Sequence, residues 1–246
     1  MKIIGVIPAR YASSRLPGKP LSDICGKPMI WWVYQQAIKV QELEDVYVAT
    51  DDERIFSAVE SFGGKAIMTS DKHPTGTDRV AEVAEKIQAD WYVNIQGDEP
   101  LIEPETIKSV LPSTIEKDPI KVLTLMAKIK NPIEVVNPTV VKVIASESGR
   151  GIYLTRSIAP FPKGSIEFSY YKHFGIYAFS RSALSIFVSK PRGKIESIED
   201  IEILRFIEND LYVKFIEVNS NSIEVDTIFD LERVNTVLSK IKEQLI

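Results

Sequence analysis

The chain opens with the apolar run Lys2-Ile-Ile-Gly-Val-Ile-Pro8, and Ala-Arg-Tyr-Ala-Ser-Ser-Arg-Leu-Pro-Gly-Lys follows it over 9–19. A short continuous apolar run is typical of a strand that is buried on both faces of a parallel sheet. The segment after it loses this periodicity and gains glycine, proline, hydroxyl and basic residues. Because open α/β sheets bind ligands at the carboxyl ends of their strands, this junction predicts a fold class and a ligand site together.

Strand-like and helix-like segments alternate through the first half of the chain. Strands are predicted at 2–8, 46–49, 65–68 and 91–95, and helices at 28–40, from Asp51 or Asp52 to Gly63, at 77–87 and at 105–117. This alternation favours a parallel sheet with helices on both faces.

The second half breaks the alternation, because several strand-like segments follow one another. They lie at 122–129, 139–145, 151–154 and 170–179, with a hairpin turn at 147–150 and a later strand at 213–218. Helices are predicted at 182–189, 198–209 and 228–245. We therefore expect one α/β domain over 1–246, with a mixed, mostly parallel central sheet flanked by helices and a β-rich lobe inserted at about 130–210.

Composition excludes several classes of protein. The 246 residues are 44% hydrophobic, which is too apolar for a disordered chain, and no apolar run approaches the length of a membrane span. The formal charge of −4 argues against nucleic acid or anionic membrane as a partner, because both require a basic surface. The lone Cys25 excludes an internal disulfide. No signal-peptide pattern is apparent at the start, so we expect a cytoplasmic protein.

Charge is unevenly distributed along the chain. Residues 1–41 contain six basic residues and one acid, Asp23, which gives +5 there and −9 in the remainder. The basic loop after the first strand matches neither phosphate-binding glycine fingerprint, yet its small residues and cations suit a polyphosphate. The alternative is a basic loop that binds no ligand.

Two acidic residues follow predicted strands and could bind a metal together. Asp98 stands in Asn-Ile-Gln-Gly-Asp-Glu-Pro at 94–100, and Asp226 precedes the last predicted helix. Carboxylates at a strand end close to phosphates are natural ligands of Mg²⁺, a hard cation. The alternatives are that Asp98 caps a turn, and that Asp226 or Thr227 caps the helix.

Taken together, these segments resemble the 3-deoxy-manno-octulosonate cytidylyltransferases, also called CMP-Kdo synthetases. The stretch VIPARYASSRLPGKPL at 6–21 is highly specific to that family. Further matching motifs follow in the family's order: GKPMI at 26–30, ATD at 49–51, GTDRVAEVA at 76–84, NIQGDEPLI at 94–102, HFGIYAF at 173–179, IESIEDIEILRF at 195–206 and VDTIFDLERV at 225–234.

The resemblance implies a fold, a reaction and a set of site residues. The fold is the nucleotide-diphospho-sugar transferase type, usually a homodimer, and the reaction is CTP + Kdo → CMP-Kdo + diphosphate with Mg²⁺, for lipopolysaccharide biosynthesis. Its catalytic residues correspond to Lys19, Arg15, Asp98 and Asp226, the two acids holding the metal. Its nucleotide contacts correspond to Pro8, Ala9, Arg10, Ser13, Arg15, Lys19, Pro74, Thr75, Gly76 and Thr77. Its sugar contacts correspond to Arg79, Gln96, Arg156, His173, Tyr177 and Glu202, with Arg79 or Arg156 expected to clamp the sugar carboxylate.

Four residues, at three places in the chain, depart from the family's pattern. Asp78 replaces the usual glutamate, Ile203 replaces a glutamine, and Ile228-Phe229 replaces Pro-Glu. Ile203 cannot hydrogen-bond, so one expected sugar contact is not supplied there. Three other functions are open on the residues alone: a cytidylyl or uridylyl transferase with another acceptor, a nucleotide-sugar glycosyltransferase, and a non-catalytic nucleotide-binding module.

Overall fold

A computed structural model describes residues 1–12, 16–113, 121–164, 168–219 and 222–244. Its strands are β1 Ile3–Ala9, β2 Asp23–Ile24, β3 Lys27–Pro28, β4 Asp45–Thr50, β5 Ala66–Met68, β6 Trp91–Asn94, β7 Val122–Lys128, β8 Lys142–Ala145, β9 Gly151–Thr155, β10 Tyr171–Ser180 and β11 Val213–Glu217. Its helices are α1 Met29–Ala37, α2 Glu53–Ser61, α3 Gly76–Lys86, α4 Pro104–Ser109, α5 Pro132–Val136, α6 Arg181–Ser189, α7 Lys194–Glu199, α8 Leu204–Glu208 and α9 Ile228–Gln244.

The central sheet has the strand order β11-β7-β10-β6-β1-β4-β5. Strand β1 lies inside the sheet and pairs in parallel with both β4 and β6, whereas β10 runs antiparallel to β6 and β7. Strands β8 and β9 attach to this sheet through β10. The predicted mixed, mostly parallel sheet flanked by helices is thus confirmed, and the carboxyl ends of β1 and β6 meet at one edge.

Apolar side chains cover both faces of the sheet, which explains why β1 is apolar at nearly every position. Ile3 and Ile7 belong to one buried cluster, which includes residues of α1, α2 and α4, and Ile4 and Val6 belong to the other, with residues of α3, α6 and α8. A third buried cluster packs α9 against the β2–β3 hairpin and the start of α1. Within the described ranges, no helix is both long enough and apolar enough to cross a bilayer.

The start of α2 and the turn at 147–150 agree with the sequence-based predictions. The Asp52 side chain accepts the backbone N–H of Arg54 at the start of α2, as its capping role predicts. The turn at 147–150 joins β8 to β9, and Gly149 adopts a φ of +83° there.

Three predicted elements are wrong in extent. Helix α4 ends at Ser109 rather than reaching residue 117, because Pro112 disfavours helical geometry at the residue before it; residues 114–117 lie outside the described ranges. The helix predicted over 198–209 is two helices, α7 and α8, separated where Asp200 adopts a left-handed φ of +52°. The strand predicted over 139–145 begins only at Lys142.

Candidate active site

The carboxyl ends of β1 and β6 border a cavity of about 560 Å³. The segment after β1, the loop before α3 and the turn after β6 form its walls, together with two acidic residues from later in the chain. The predicted site residues among its lining are Pro8, Ala9, Arg10, Lys19, Pro74, Thr75, Gly76, Gln96, Asp98, Glu202 and Asp226. Ser13 and Arg15, which the resemblance also implies, lie outside the described residues.

The end of β1 and the turn after β6 approach each other so closely that this turn requires glycine. A Cβ atom on Gly97 would lie 2.9 Å from the Pro8 carbonyl oxygen and 3.5 Å from Ile7 Cγ2. Contact at this distance with backbone cannot be relieved by a side-chain rotation. Gly97 therefore brings Asp98 next to the loop that follows β1.

The ammonium group of Lys19 bridges the two predicted metal-binding acids. Its Nζ lies 2.6 Å from Asp98 Oδ2 and 3.4 Å from Asp226 Oδ1. Burial alone would lower the pKa of Lys19, but attraction to Asp98 and Asp226 outweighs it and raises that pKa above its ordinary value. A protonated lysine is thus held beside two carboxylates in the wall of the cavity.

Two further acids stand next to this ion pair, and the sequence analysis did not identify either of them. Ligand atoms of Glu224, Asp226 and Asp98 all lie within 4.8 Å of one another. Glu99 is buried, and burial, with Asp98 and Glu224 nearby, raises its pKa to about 8. The Glu-Val-Asp spacing at 224–226 could have identified Glu224, because alternate residues of an extended segment share a face and Glu224 therefore lies on the same side as Asp226.

The predicted capping alternatives are resolved at Asp226. Thr227 Oγ1 accepts the backbone N–H of Asp230 at 3.3 Å, and Asp230 in return accepts the N–H of Thr227 at 2.9 Å. Thr227 therefore caps α9, which leaves the Asp226 carboxylate to face Lys19 and Asp98.

The loop before α3 forms the opposite wall of the cavity and is fixed by its own hydrogen bonds. Thr75 caps α3 by accepting the backbone N–H of Asp78, and its hydroxyl donates to the Asp78 carboxylate at 2.6 Å. Glu202 also lines the cavity. Its burial raises its pKa, and hydrogen bonds from Thr77 and Thr75 partly oppose that effect.

The two arginines predicted as carboxylate clamps are engaged elsewhere. The side chain of Arg79 is fully buried, pairs with Asp51 at 2.8 Å and also donates to Thr69 Oγ1. The guanidinium of Arg156 donates to the backbone carbonyls of Glu199, Pro138 and Asp200. Neither lines the cavity, whereas Arg10 does; burial, followed by repulsion from Arg79, lowers the pKa of Arg10.

The remaining predicted sugar contacts lie on or beside β10. Gln96 lines the cavity and donates to the Gly175 carbonyl at 2.6 Å. His173 lines a second cavity of about 390 Å³, its Nε2 3.1 Å from Thr124 Oγ1, and burial lowers its pKa to about 4. The Tyr177 ring lies 5.3 Å from the His173 ring, and burial, with Glu202 and Glu224 nearby, raises the pKa of its hydroxyl.

Comparison with known proteins identifies close relatives along the whole chain. A family model described as cytidylyltransferase matches residues 4–217. The 3-deoxy-manno-octulosonate cytidylyltransferase of Fusobacterium nucleatum is 45% identical over 100% of this chain and 99% of its own. The enzyme of that name from Escherichia coli is 42% identical over 97% of each chain.

Solved structures show the same relationship. A CMP:2-keto-3-deoxy-manno-octonic acid synthetase complexed with CTP superposes with a TM-score of 0.93 at 42% identity, over 98% of this chain and 99% of that one. An inositol-1-phosphate CTP transferase from T. maritima gives a TM-score of 0.70 at 17% identity, over 98% of this chain and 96% of that one. The second likeness establishes the fold alone.

Proposed function

The chain belongs to the family of 3-deoxy-manno-octulosonate cytidylyltransferases, and on this premise we propose that it activates 3-deoxy-D-manno-octulosonate (Kdo) for lipopolysaccharide biosynthesis. The reaction is CTP + Kdo → CMP-Kdo + diphosphate. The observation that carries this proposal is the full-length match to a synthetase whose solved structure holds CTP. It is supported by the cavity at the ends of β1 and β6, where the motifs of the family meet.

In the proposed reaction, the anomeric hydroxyl oxygen of Kdo bonds to the α-phosphorus of CTP. The bond from that phosphorus to the bridging oxygen breaks, and diphosphate leaves in line while the hydroxyl proton is released to solvent. Reactions of this kind depend mainly on positioning and charge neutralisation. Pro8, Ala9, Arg10 and the 74–77 loop would hold the nucleotide, and Ser13 and Arg15 remain predicted contacts.

Lys19 has the charge and the position to stabilise the leaving diphosphate. Its ammonium is held on the cavity wall by Asp98 and Asp226, so a positive charge is in place before substrate arrives. Preorganised charge of this kind lowers the barrier because little has to rearrange during the reaction.

The residues present suit the Mg²⁺ that the family implies. Asp98 Oδ1 is buried and has no hydrogen-bond partner among the described residues, and carboxylate oxygens are the ligands that hard cations prefer. Asp98 and Asp226 would hold the ion, which supplies Lewis-acid polarisation and charge neutralisation when bound.

The acceptor sugar would lie against Gln96, His173, Tyr177 and Glu202. A buried neutral His173 can accept or donate one hydrogen bond to a sugar hydroxyl without carrying charge. Among the described residues, the cations that line the cavity are Arg10 and Lys19. Because Arg79 and Arg156 are engaged in other bonds, their proposed contact with the sugar carboxylate would require those bonds to rearrange.

We also infer that the enzyme acts in the cytoplasm, where CTP is available, and as a homodimer. Support for the dimer comes from large apolar side chains that are exposed within the predicted lobe at about 130–210, including Ile133, Val136 and Phe161. Light scattering after size exclusion tests the dimer directly, and a monomer at micromolar concentration would refute it.

A diphosphate-release assay with Mg²⁺ tests the function, with CTP, UTP and ATP each crossed with Kdo, sialic acid and hexose 1-phosphates. We expect activity with CTP and Kdo. Activity with other acceptors and none with Kdo would refute the proposal. The variant Asp98→Asn should lose most of the activity, whereas Asp210→Asn, which makes the same change at an exposed turn, should keep it.

A further inference from the structure

Strand β10 contains a bulge where it passes the candidate site. Its pairing with β7 shifts register between Phe174 and Tyr177, so that Gly175 and Ile176 have no partner residue in β7. Bulges are frequent next to active sites, where they change the direction of a side chain. The carbonyl oxygens of these two residues accept hydrogen bonds from side chains.

The two side chains that bind the bulge are Gln96 and Thr124. Gln96 Nε2 donates to the Gly175 carbonyl at 2.6 Å, and Thr124 Oγ1 donates to the Ile176 carbonyl at 2.9 Å. Because a carbonyl oxygen only accepts, each bond fixes the orientation of its donor. The amide nitrogen of Gln96 is used in the bulge, which leaves its Oε1 as an acceptor. The hydroxyl proton of Thr124 points to Ile176.

The orientation of the Thr124 hydroxyl determines which nitrogen of His173 carries the proton. Thr124 is fully buried, and its Oγ1 lies 3.1 Å from His173 Nε2. A hydroxyl has one proton, and because that proton lies in the bond to Ile176, Oγ1 accepts from Nε2–H. Burial lowers the pKa of His173 to about 4, so the ring is neutral near pH 7 and its other nitrogen, Nδ1, is an acceptor.

This side of the site therefore offers hydrogen-bond acceptors. His173 lines the 390 Å³ cavity, and its Nδ1 forms no hydrogen bond with a described residue. Gln96 lines the 560 Å³ cavity, and the two cavities adjoin because Asp226 lines both. An acceptor binds the hydroxyl group of a sugar, which can donate, but repels an ionised carboxylate, which only accepts.

We propose that Thr124 is a positioning residue for the acceptor sugar, because it holds the Nε2–H of His173 and thereby leaves Nδ1 to accept a hydrogen bond from a sugar hydroxyl. The inference rests on the proposed function in taking Kdo as that sugar. It also orients the substrate, since hydroxyl groups face His173 and Gln96 and the carboxylate is turned away from them.

Long-range ¹H–¹⁵N NMR of histidine-labelled, substrate-free protein identifies the tautomer of each imidazole ring. The chain has two histidines, and His173→Gln assigns the signals. At pH 7 we expect a neutral His173 with its proton on Nε2. Thr124→Ser keeps the hydroxyl and should keep this tautomer, whereas Thr124→Val should populate the Nδ1–H tautomer because Nε2–H loses its acceptor. The control Thr236→Val makes the same change at an exposed position of α9 and should alter neither ring.

Kinetics in the diphosphate assay then shows whether the tautomer matters for the sugar. Thr124→Val should raise KM for Kdo roughly fivefold, about the effect of losing one hydrogen bond, and leave KM for CTP unchanged. Thr124→Ser should restore KM for Kdo to within about twofold of wild type. A variant that loses stability without this difference between the two substrates would overturn the positioning role.

Three further results would overturn the inference. They are a wild-type His173 that carries its proton on Nδ1, a Thr124→Val variant that keeps the wild-type tautomer, and a Thr124→Ser variant that behaves like Thr124→Val. If Thr124→Val does not fold, the spectra of wild type and Thr124→Ser still decide the tautomer. These spectra are recorded without substrate, so a failure of the proposed function would appear as a lack of turnover in wild type and leave the tautomer unchanged.

Discussion

Replacing Arg79 with methionine distinguishes two roles for this side chain. The family resemblance implies that Arg79 contacts the sugar, whereas the structure gives it a buried ion pair with Asp51. Methionine keeps much of the length of the side chain and removes the charge. The two roles predict opposite results for stability and for substrate binding.

The structure sets the size of the expected loss of stability. Arg79 is fully buried, with Nη2 2.8 Å from Asp51 Oδ2 and Nη1 bonded to Thr69 Oγ1. Removing one partner of a buried ion pair costs about 3–5 kcal/mol, because the other charge remains uncompensated. The Asp51 side chain is 16% exposed, so water can reach the freed carboxylate. We therefore expect a loss near the lower end, about 3 kcal/mol in the free energy of unfolding.

Urea unfolding followed by circular dichroism measures this loss for Arg79→Met, Asp51→Asn and the double variant. Because the two residues form one pair, the double variant should lose clearly less than the sum of the single losses. The control Arg181→Met removes an exposed arginine and should change the unfolding free energy by no more than about 0.5 kcal/mol.

Steady-state kinetics on the same variants tests the other role, in which Arg79 contacts the sugar. If Arg79 acts through the buried pair, KM for Kdo should change little at a temperature where Arg79→Met remains folded. Stability within about 1 kcal/mol of wild type, combined with a KM for Kdo raised tenfold or more, would refute our reasoning and support direct contact with the sugar.

Two further predictions concern the walls of the site. The pKa of His173 is about 4 in the folded protein against 6.5 for an unperturbed histidine, so the unfolded chain binds more protons between these values and stability falls as pH drops through that window. From pH 7 to pH 5, wild type should lose about 2 kcal/mol more than His173→Gln in urea unfolding, and equal losses would contradict the burial of a neutral ring. Gly97→Ala would place a Cβ 2.9 Å from the Pro8 carbonyl oxygen, so kcat should fall roughly tenfold or more, whereas Gly164→Ala, where a Cβ meets nothing within 4 Å, should be neutral. Unchanged kcat in Gly97→Ala would show that the two loops can separate without cost to the reaction.

The local sequence pattern was sufficient to predict the strands and helices whose apolar residues follow a regular period. The strand at 2–8 and the helix that begins after Asp52 follow from apolar periodicity and a capping side chain, which depend on neighbours in sequence. The prediction of one helix over 198–209 was wrong because the apolar spacing in the sequence continues through the break between α7 and α8. Asp200 caps the end of α7 with a left-handed backbone, a local feature that apolar periodicity does not detect.

Motifs identified most of the lining of the candidate site but did not predict where every side chain points. Arg79 stands within a motif that otherwise borders the cavity, yet its position on α3 directs it toward Asp51 and Thr69. Glu224 shows the opposite case, since no motif marks it and only the pairing of Val225 with Asp98 brings it to the site. Both outcomes depend on packing between segments that are distant in sequence.

The uneven charge of the chain follows from the order of the strands. The basic loop comes after β1, which lies between β4 and β6, so acids that follow other elements can reach it. Lys19 accordingly meets Asp98 and Asp226, which lie 79 and 207 positions further along the chain. The net charge of −4 argues against extended polyanions as partners, but it does not argue against one triphosphate. Positive charge for such a ligand is concentrated at the end of one strand, and in the proposed reaction Asp98 and Asp226 would hold the cation that accompanies it.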